Sequence, residues 1–311
     1  MSEPSRLPFE FHPLPEPTRT LSSSGVEIAT YDLGKPGGAG TVDRSVLFAH
    51  ATGFCAAVWA PVTDHLQEYH CASLDFRGHG LSSIPAAGMD WSGTAEDVLA
   101  VVDALGLNKP FGVGHSMGGA SLLLAEQMRP GTFSGLWVYE PIVFPMQDSG
   151  LEPTGLKIQD ISSSNPLVAS ALRRRDTFPS RSAAEENFAS KPPLSDLCPA
   201  ALRAYVEYGF EQLLDDSITL RCRPEIEADT YKMGARHSAF AHLGEVACPV
   251  TVARGHTKFP GPADLAPIIS QALPSSTLEE FPALGHFGPL QDPVTVAAAV
   301  RSALAAVSAG L

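Results

Sequence analysis

Short apolar runs alternate with helical patterns through the first half of the chain, and this alternation constrains the fold more than any other feature. Three runs, 45–49, 111–113 and 136–139, are apolar and contain β-branched or aromatic residues, which is typical of strands covered on both faces. Between them, residues 94–105 and 121–128 carry apolar side chains at helical spacing. The alternation predicts an α/β fold, with a mostly parallel central sheet and helices on both of its faces.

The alternation stops in the middle of the chain and resumes later. The middle part has helical stretches such as 199–214 but no convincing strand, and the strand pattern returns at 249–253. We therefore predict a core made of residues 1–141 and 248–311, with residues 142–247 inserted between two of its strands as a helical cap. An insertion over the carboxyl end of a parallel sheet covers the place where such folds bind ligands.

The charge balance narrows the range of partners. The 311 residues carry a formal net charge of −13, with 34 acidic and 21 basic side chains. This balance argues against a surface for nucleic acid or for anionic membranes and favours a soluble protein. The partner we expect is a small-molecule substrate. The one basic run, Arg173-Arg174-Arg175, is predicted to be a solvated helix face.

The number and spacing of the cysteines indicate the cellular compartment of the protein. The five cysteines are widely scattered and form no C-x-x-C pair. An odd number at such spacings is typical of reduced thiols in the cytoplasm, and we expect neither a disulfide framework nor a zinc site. The N-terminal stretch is interrupted by prolines and acids, which is unlike a signal peptide, and no run of apolar residues has the length of a transmembrane helix. We therefore expect a cytoplasmic protein.

A serine lies between glycines where a predicted strand turns into a helix. Residues 114–118, GHSMG, fit the pattern G-x-S-x-G in this strand–turn–helix context. In a nucleophile elbow the serine takes strained backbone angles, so the residues two before and two after it must be small, as Gly114 and Gly118 are. The pattern predicts that Ser116 is a nucleophile. The alternative is a glycine-rich turn with an idle serine.

A serine nucleophile needs a base to remove its proton, and the base needs an acid to orient it. His286 lies in a loop between the last predicted strand and the last helix, on the same carboxyl-end face of the sheet as Ser116. Its rivals are His237, in the predicted cap, and His256, directly after an earlier strand. The position of its loop relative to Ser116 favours His286 as the base.

Four segments carry a family resemblance, in this order along the chain: HATGF at 50–54, DFRGHGLS at 75–82, GHSMGG at 114–119 and GHFGPLQDP at 285–293. With them the chain resembles the α/β-hydrolase fold family from about Val26 to the final helix. The resemblance implies Ser116 as nucleophile and His286 as base. His50 and Asp75 are expected to shape the loops near the site.

The resemblance also implies an oxyanion hole of two backbone amides. One is the N–H of Met117, the residue after the serine. Register with the family's H-G-x-x pattern assigns the second amide to Thr52, with Gly53 as the alternative. The alternative stays open because Ala51 stands where the family usually has glycine.

The acid departs from the commoner pattern of the family. Relatives usually carry an aspartate shortly after the glycine that ends the late strand, but here Gly255 is followed by no carboxylate until Asp264. The family has a second location, at the end of the strand after the nucleophile's helix, and there this chain has Glu140. Haloalkane dehalogenases with a glutamate acid resemble this arrangement. We predict Glu140 as the acid, with Asp264 as the alternative.

These residues imply acyl transfer to water. The predicted reaction is hydrolysis of a carboxylic ester, or of a related lactone or thioester, of a largely apolar small molecule through an acyl-enzyme on Ser116. The sequence has no metal-binding cluster, dinucleotide-binding loop or flavin motif, so no cofactor and no metal is expected. One alternative is a carbon–carbon bond hydrolase of the same fold. Another is a non-catalytic receptor that keeps the fold as a ligand pocket.

Overall fold

The computed structural model describes residues 14–22, 25–34, 45–145, 165–234, 236–256 and 261–310. Eight strands form the main sheet: Thr18–Leu21 (β1), Glu27–Asp32 (β2), Ser45–Ala49 (β3), His70–Leu74 (β4), Phe111–His115 (β5), Gly135–Tyr139 (β6), Val250–Gly255 (β10) and Ser276–Phe281 (β11). The numbers β7 to β9 belong to three short strands outside this sheet. Across the sheet the order is β1-β2-β4-β3-β5-β6-β10-β11.

The sheet is mostly parallel. β4, β3, β5, β6, β10 and β11 pair side by side in parallel, while β1 and β2 are antiparallel additions at one edge. β3, β5 and β6 are buried along their whole length. This burial explains why these segments have continuous apolar runs in the sequence. The predicted fold class is confirmed.

Helices cover both faces of the sheet: Ala60–Thr63 (α1), Trp91–Ala104 (α2), Met117–Met128 (α3), Pro262–Ala272 (α8), Gly288–Gln291 (α9) and Pro293–Ser308 (α10). Two apolar clusters lie between the helices and the sheet. One cluster takes side chains from α2, α3 and α8, and the other takes side chains from α1 and α10. Within the described residues, no helix combines the length and the apolar character that crossing a membrane requires.

The described part of the insertion between β6 and β10 contains four further helices: Pro166–Arg173 (α4), Arg181–Ala189 (α5), Pro199–Tyr208 (α6) and Pro224–Met233 (α7). Proline at the first helical position begins α4, α6 and α7, where the missing N–H has no intrahelical partner to lose. In the part of the chain that the structure describes, short 3₁₀ turns lie at Ala56–Trp59, Leu194–Asp196 and Leu243–Glu245.

The prediction that the insertion contains no strand is wrong. A small antiparallel sheet lies there, in the order β7-β9-β8, made of Thr177–Phe178 (β7), Phe210–Gln212 (β8) and Ile218–Leu220 (β9). These strands are too short for an alternating pattern to appear in the sequence. The helix predicted over 199–214 ends at Tyr208, because Gly209 caps it and β8 follows. The division into core and cap stays a prediction.

A histidine near the end of the insertion contacts both the start of the insertion and the core. The Nε2–H of His237 donates to the carbonyl oxygen of Ile142 at 2.8 Å, and the imidazole packs edge-on against Trp91. The indole N–H of Trp91 donates in turn to the carbonyl oxygen of Gly234. Burial lowers the pKa of His237 from 6.5 to about 4, so the ring is neutral in the folded protein at neutral pH.

This lowered pKa predicts an acid-sensitive contribution to stability. The unfolded chain binds a proton on residue 237 below pH 6.5 but the folded protein binds it only near pH 4, so the contribution is present above pH 6.5 and is lost as the pH falls. At pH 5 the loss reaches up to about 2 kcal/mol. We expect His237→Gln to weaken the pH dependence of the unfolding free energy between pH 8 and pH 5, measured in urea.

The same change at exposed His65 is the control for that experiment. If His237→Gln and the unaltered protein lose the same free energy of unfolding between pH 8 and pH 5, the assignment of this acid sensitivity to His237 is wrong.

Candidate active site

Ser116 lies in a strained turn between β5 and α3. Its backbone angles are φ 54° and ψ −112°, and a positive φ is uncommon for any residue with a side chain. Its amide N–H donates to the carbonyl oxygen of Tyr139, at the end of the neighbouring strand β6, at 2.9 Å. The serine is 6% exposed and lies at the N-terminus of α3. This is the geometry that the sequence pattern predicts for a nucleophile elbow.

The glycines around Ser116 are required by close packing. A Cβ atom on Gly118 would overlap the carbonyl group of Ala49, at the end of β3. A Cβ atom on Gly114 would lie 2.7 Å from the Cα atom of Gly119, on the first turn of α3. Any side chain at these two positions would therefore push α3 away from the sheet and change the turn that holds the serine.

His286 and Glu140 are in direct contact. The Nδ1 atom of His286 lies 2.6 Å from the Oε2 atom of Glu140, and the second carboxylate oxygen, Oε1, accepts the amide N–H of Gly255 at 2.8 Å. Because a carboxylate only accepts, Nδ1 of His286 carries the proton of the neutral ring and Nε2 is left with a free lone pair. Glu140 is 1% exposed, so a buried carboxylate orients this imidazole, and its backbone has a φ of 45°, which is rare for a residue with a side chain.

The register of the sheet explains how these residues come together. His115 pairs with Tyr139 in the parallel β5–β6 ladder, so Ser116 and Glu140 leave neighbouring strands side by side at the same edge. Tyr139 pairs in turn with Ala253 of β10, whose end supplies Gly255.

Two buried side chains hold the loop that carries His286. The Nε2 atom of His115 lies 2.7 Å from the carbonyl oxygen of His286, and the hydroxyl of Tyr139 donates to the carbonyl oxygen of Gly285 at 2.7 Å. Burial, and then the neighbouring His286, lower the pKa of His115 well below 6.5, so its ring is neutral. A carbonyl oxygen only accepts, so the proton of His115 lies on Nε2.

The residue before Ser116 contacts the imidazole of His286, but the hydroxyl of Ser116 has no hydrogen-bond partner among the described side chains. The ring of His115, the residue before Ser116, lies 4.9 Å from the ring of His286 between centroids. Among the described residues, no side chain hydrogen-bonds the hydroxyl of Ser116. Catalytic hydrogen bonds are often long without substrate and tighten when it binds.

The alternative candidates for the acid and the base lie elsewhere and make other contacts. Asp264 is exposed and lies on the first turn of α8, where its carboxylate accepts the amide N–H of Gly261 at 2.9 Å. It therefore caps its own helix from the third helical position, with Gly261 at the N-cap position. His237 is bonded to the carbonyl group of Ile142, and His256 is exposed. Residues 257–260, which follow His256, lie outside the described part of the chain.

The predicted oxyanion donors differ in what they already bind. Met117 is the first residue of α3, so its amide N–H has no partner within the helix. The amide N–H of Gly53 donates to the Nε2 atom of His79 at 3.1 Å, whereas the amide of Thr52 has no acceptor among the described residues. The geometry therefore favours Thr52 over Gly53 as the second donor.

The two residues expected to shape loops do so through hydrogen bonds. Asp75 is buried and accepts from the amides of Ala56 and Leu81 and from the hydroxyl of Tyr31. His50 uses both ring nitrogens: Nδ1 donates to its neighbour's carbonyl oxygen, and Nε2 accepts the amide N–H of Phe76. These bonds join the loop after β3 to the turn after β4.

The prediction that the basic run is a solvated helix face is wrong for its middle residue. Arg173 and Arg175 are exposed, but Arg174 lies against the buried carboxylate of Glu227, with its Nη1 atom 2.5 Å from Oε2. Only Arg173 belongs to α4, and Arg174 follows it with an extended backbone, φ −67° and ψ 144°. The sequence does not show that the helix ends there or which arginine turns inward.

The roles of His115 and Tyr139 were also missed by sequence reasoning. Both belong to segments quoted above, but no local pattern shows that they contact a loop so far along the chain. Their position directly before the serine and directly before the glutamate, at the ends of paired strands, is the one signal that could have drawn attention to them.

An eight-stranded, mostly parallel sheet with a strained serine turn after β5 defines an α/β-hydrolase fold. Residues 46–299 match the model of the alpha/beta hydrolase family. The chain belongs to this family.

Relatives and solved structures agree with this assignment. A putative carbamate hydrolase RutD of Caulobacter segnis is 40% identical over 84 residues, which are 26% of this chain and 32% of that protein. The structure of E-2-(acetamidomethylene)succinate hydrolase has a TM-score of 0.74 and 22% identity, covering 92% of this chain and 97% of the other. The esterase RhEst1 of Rhodococcus sp. ECU1013 has a TM-score of 0.67 and 20% identity, covering 94% of this chain and 99% of the other.

The packing at the elbow predicts the effect of a single methyl group. We expect Gly118→Ala to lower the free energy of unfolding by about 1–3 kcal/mol or more, because the new Cβ atom meets backbone that cannot rotate away. Gly244→Ala is the matched control, since a Cβ atom there has no neighbour within 4 Å. Urea unfolding measures both. Equal stability of the two variants would contradict the packing described for α3.

Proposed function

We propose that the protein hydrolyses a carboxylic ester, or a related lactone or thioester, through an acyl-enzyme on Ser116. The contact between His286 and Glu140 at the sheet edge where Ser116 leaves β5 is the observation that carries the proposal. It supplies an imidazole with one fixed tautomer, and its unprotonated nitrogen is available as a base for a nearby hydroxyl.

Acylation follows from these positions. As the Oγ atom of Ser116 attacks the carbonyl carbon, its proton moves to the Nε2 atom of His286, and the carbonyl oxygen becomes an oxyanion. The amides of Met117 and Thr52 donate to that oxygen, and Glu140 stabilises the imidazolium. When the tetrahedral intermediate collapses, the bond to the leaving group breaks, and the leaving alcohol or thiol takes the proton from Nε2.

Deacylation repeats these steps with water. The Nε2 atom of His286 removes a proton from a water molecule, whose oxygen attacks the acyl carbon. The second oxyanion is held by the same two amides. Collapse releases the carboxylic acid, and Ser116 recovers its proton from His286. No step needs a group other than these residues, the substrate and water.

The cavity beside these residues supports a small-molecule substrate. A cavity of about 470 Å³ is lined by Thr52, a proposed oxyanion donor, by Phe287, the residue after the proposed base, and by side chains of the insertion. Its volume is in the range of small-molecule sites. Phe54, Phe188 and Phe287 give it aromatic walls, and we infer that residues 142–247 act as a cap that selects the substrate by contacts with its apolar part.

The state of the cysteines supports the predicted compartment. All five cysteines are free thiols, and Cys55, Cys71, Cys222 and Cys248 are buried. Unpaired thiols are typical of a reducing environment, and we therefore propose that the protein acts in the cytoplasm.

The nucleophile assignment predicts the result of a one-atom change. We expect Ser116→Ala to lower the rate of ester hydrolysis by about 10⁴-fold or more and to abolish labelling by a fluorophosphonate probe. The fold should be retained, because the side chain lies at a turn. A panel of aryl esters, lactones, thioesters and vinylogous diketones measures the activity. Labelling of the alanine variant, or a diketone as the one class cleaved, would contradict the proposed reaction.

The acid is tested by a pair of isosteric changes. We expect Glu140→Gln to reduce turnover by up to about 10⁴-fold, because a neutral amide neither fixes the tautomer of His286 nor stabilises its charged form. Asp264→Asn is the matched control and should leave turnover unchanged, since Asp264 caps α8 at the surface. Steady-state hydrolysis of the best ester of the panel measures both. If Asp264→Asn is the inactive variant, Glu140 is not the acid.

A further inference from the structure

The cavity beside the proposed site carries more positive charge than the protein as a whole would suggest. Its charged lining residues are three cations, Arg174, Arg175 and Lys191, and one carboxylate, Glu227. The formal net charge of the chain is −13, so this surplus is local and opposes the general field of the protein. A cavity with this lining attracts an anion more strongly than a neutral molecule.

Arg174 is the cation that is held in place. Its Nη1 atom lies 2.5 Å from the Oε2 atom of Glu227, and its Nη2 atom donates to the hydroxyl of Tyr205 at 2.9 Å. A guanidinium group has five N–H donors in a planar fork, and these two bonds use two of them. Its side chain is 20% exposed and lines the cavity. Within the described residues, the remaining donors have no protein acceptor and are available to a ligand.

The carboxylate of Glu227 orients this arginine beside the loop of the proposed oxyanion hole. A Cβ atom placed on Gly53 would lie 3.0 Å from the Oε1 atom of Glu227 and 3.6 Å from the Nη1 atom of Arg174. The hydroxyl of Tyr231 also donates to Oε1, at 3.4 Å. The ion pair therefore packs directly against the residue after Thr52, and it is fixed before any ligand binds.

The other two cations lie at the surface. Lys191 is exposed, and its ammonium group donates to the Oδ1 atom of Asn187 at 2.6 Å. The exposed guanidinium of Arg175 lies 4.3 Å from the ring centroid of Phe178. Both groups remain hydrated, so they add long-range attraction for an anion and little specific binding.

We propose that the substrate carries a carboxylate group besides the bond that is cleaved, and that Arg174 binds this carboxylate. The planar fork of an arginine matches two carboxylate oxygens better than the point charge of a lysine does. Because Arg174 lies against Gly53, the carboxylate is separated from the scissile carbonyl by only a short chain of atoms. The proposal rests on the proposed function for the position of the scissile bond.

Binding to the Ser116→Ala protein tests the carboxylate separately from catalysis. Monoethyl succinate and ethyl levulinate are esters of nearly the same shape, but the first ends in a carboxylate and the second in a neutral acetyl group. We expect calorimetric titration to show at least about 10-fold tighter binding of monoethyl succinate, as charged hydrogen bonds allow. Equal affinities, or no binding of either ester, would overturn the proposal.

Further substitutions in the Ser116→Ala protein identify the residue that is responsible for the preference for monoethyl succinate. We expect the preference to disappear in Arg174→Met combined with Glu227→Gln, which removes the cation without leaving a buried unpaired carboxylate. Arg173→Met, on the exposed neighbour, is the matched control and should keep the preference. Arg174→Lys keeps the charge beside Glu227 but loses the fork, so the preference should fall at least about 3-fold. A preference that survives both changes at Arg174 would overturn the assignment.

The two proposals can fail separately. If the Ser116→Ala protein prefers monoethyl succinate through Arg174 while the unaltered protein hydrolyses no ester, lactone or thioester, the carboxylate site stands and the proposed function is wrong. If esters are hydrolysed through Ser116 but the two probes bind equally, the proposed function stands and the carboxylate site is wrong.

Discussion

The turn at Ser116 packs against the end of β3 so closely that Gly118 has no room for a Cβ atom beside the carbonyl group of Ala49. This contact brings the N-terminus of α3 onto the sheet and holds Ser116 in a backbone conformation that residues other than glycine rarely adopt. It also brings the loop that follows Ala49 to the first amides of α3. The amides of Met117 and Thr52 are available at this junction because a helix N-terminus and a strand-ending loop meet there, each with backbone donors that its own element does not use.

Around this junction, burial and hydrogen-bond partners that only accept or only donate fix the protonation states and orientations of the polar side chains. His50, His79 and His115 are buried with pKa values lowered, chiefly by burial, and each has a hydrogen bond that fixes its neutral tautomer. Glu140 divides its two oxygens between a backbone amide and His286. The imidazole of His286 is therefore oriented from both sides, by a carboxylate at its ring and by His115 at its backbone. Such preorganisation lowers the reorganisation that a reaction at this position would need.

The insertion adds a charge pattern of its own to this scaffold. An ion pair as buried as that of Arg174 and Glu227 is weak evidence for stability, since the desolvation of both charges offsets much of their attraction. The pair lies against Gly53 and lines the cavity, and this position is consistent with the proposed role in binding a ligand. The preceding residue, Arg173, ends α4 and is exposed to solvent, whereas Arg174 follows the helix in an extended conformation. Residues adjacent in sequence thus have different surroundings, because the helical backbone ends between them.

The sequence by itself determined the fold class, the elbow and the loop of His286, because strand and helix periods, glycines at a strained turn and the position of a loop after a strand are local properties of the chain. It left Glu140 and Asp264 open as the acid, Thr52 and Gly53 open as donors, and it misjudged Arg174 and the short strands of the insertion. Those questions concern which distant groups meet. Only the tertiary structure shows which groups meet: the β5–β6 register sets Glu140 beside Ser116, a hydrogen bond occupies the amide of Gly53, and packing places Arg174 against Glu227.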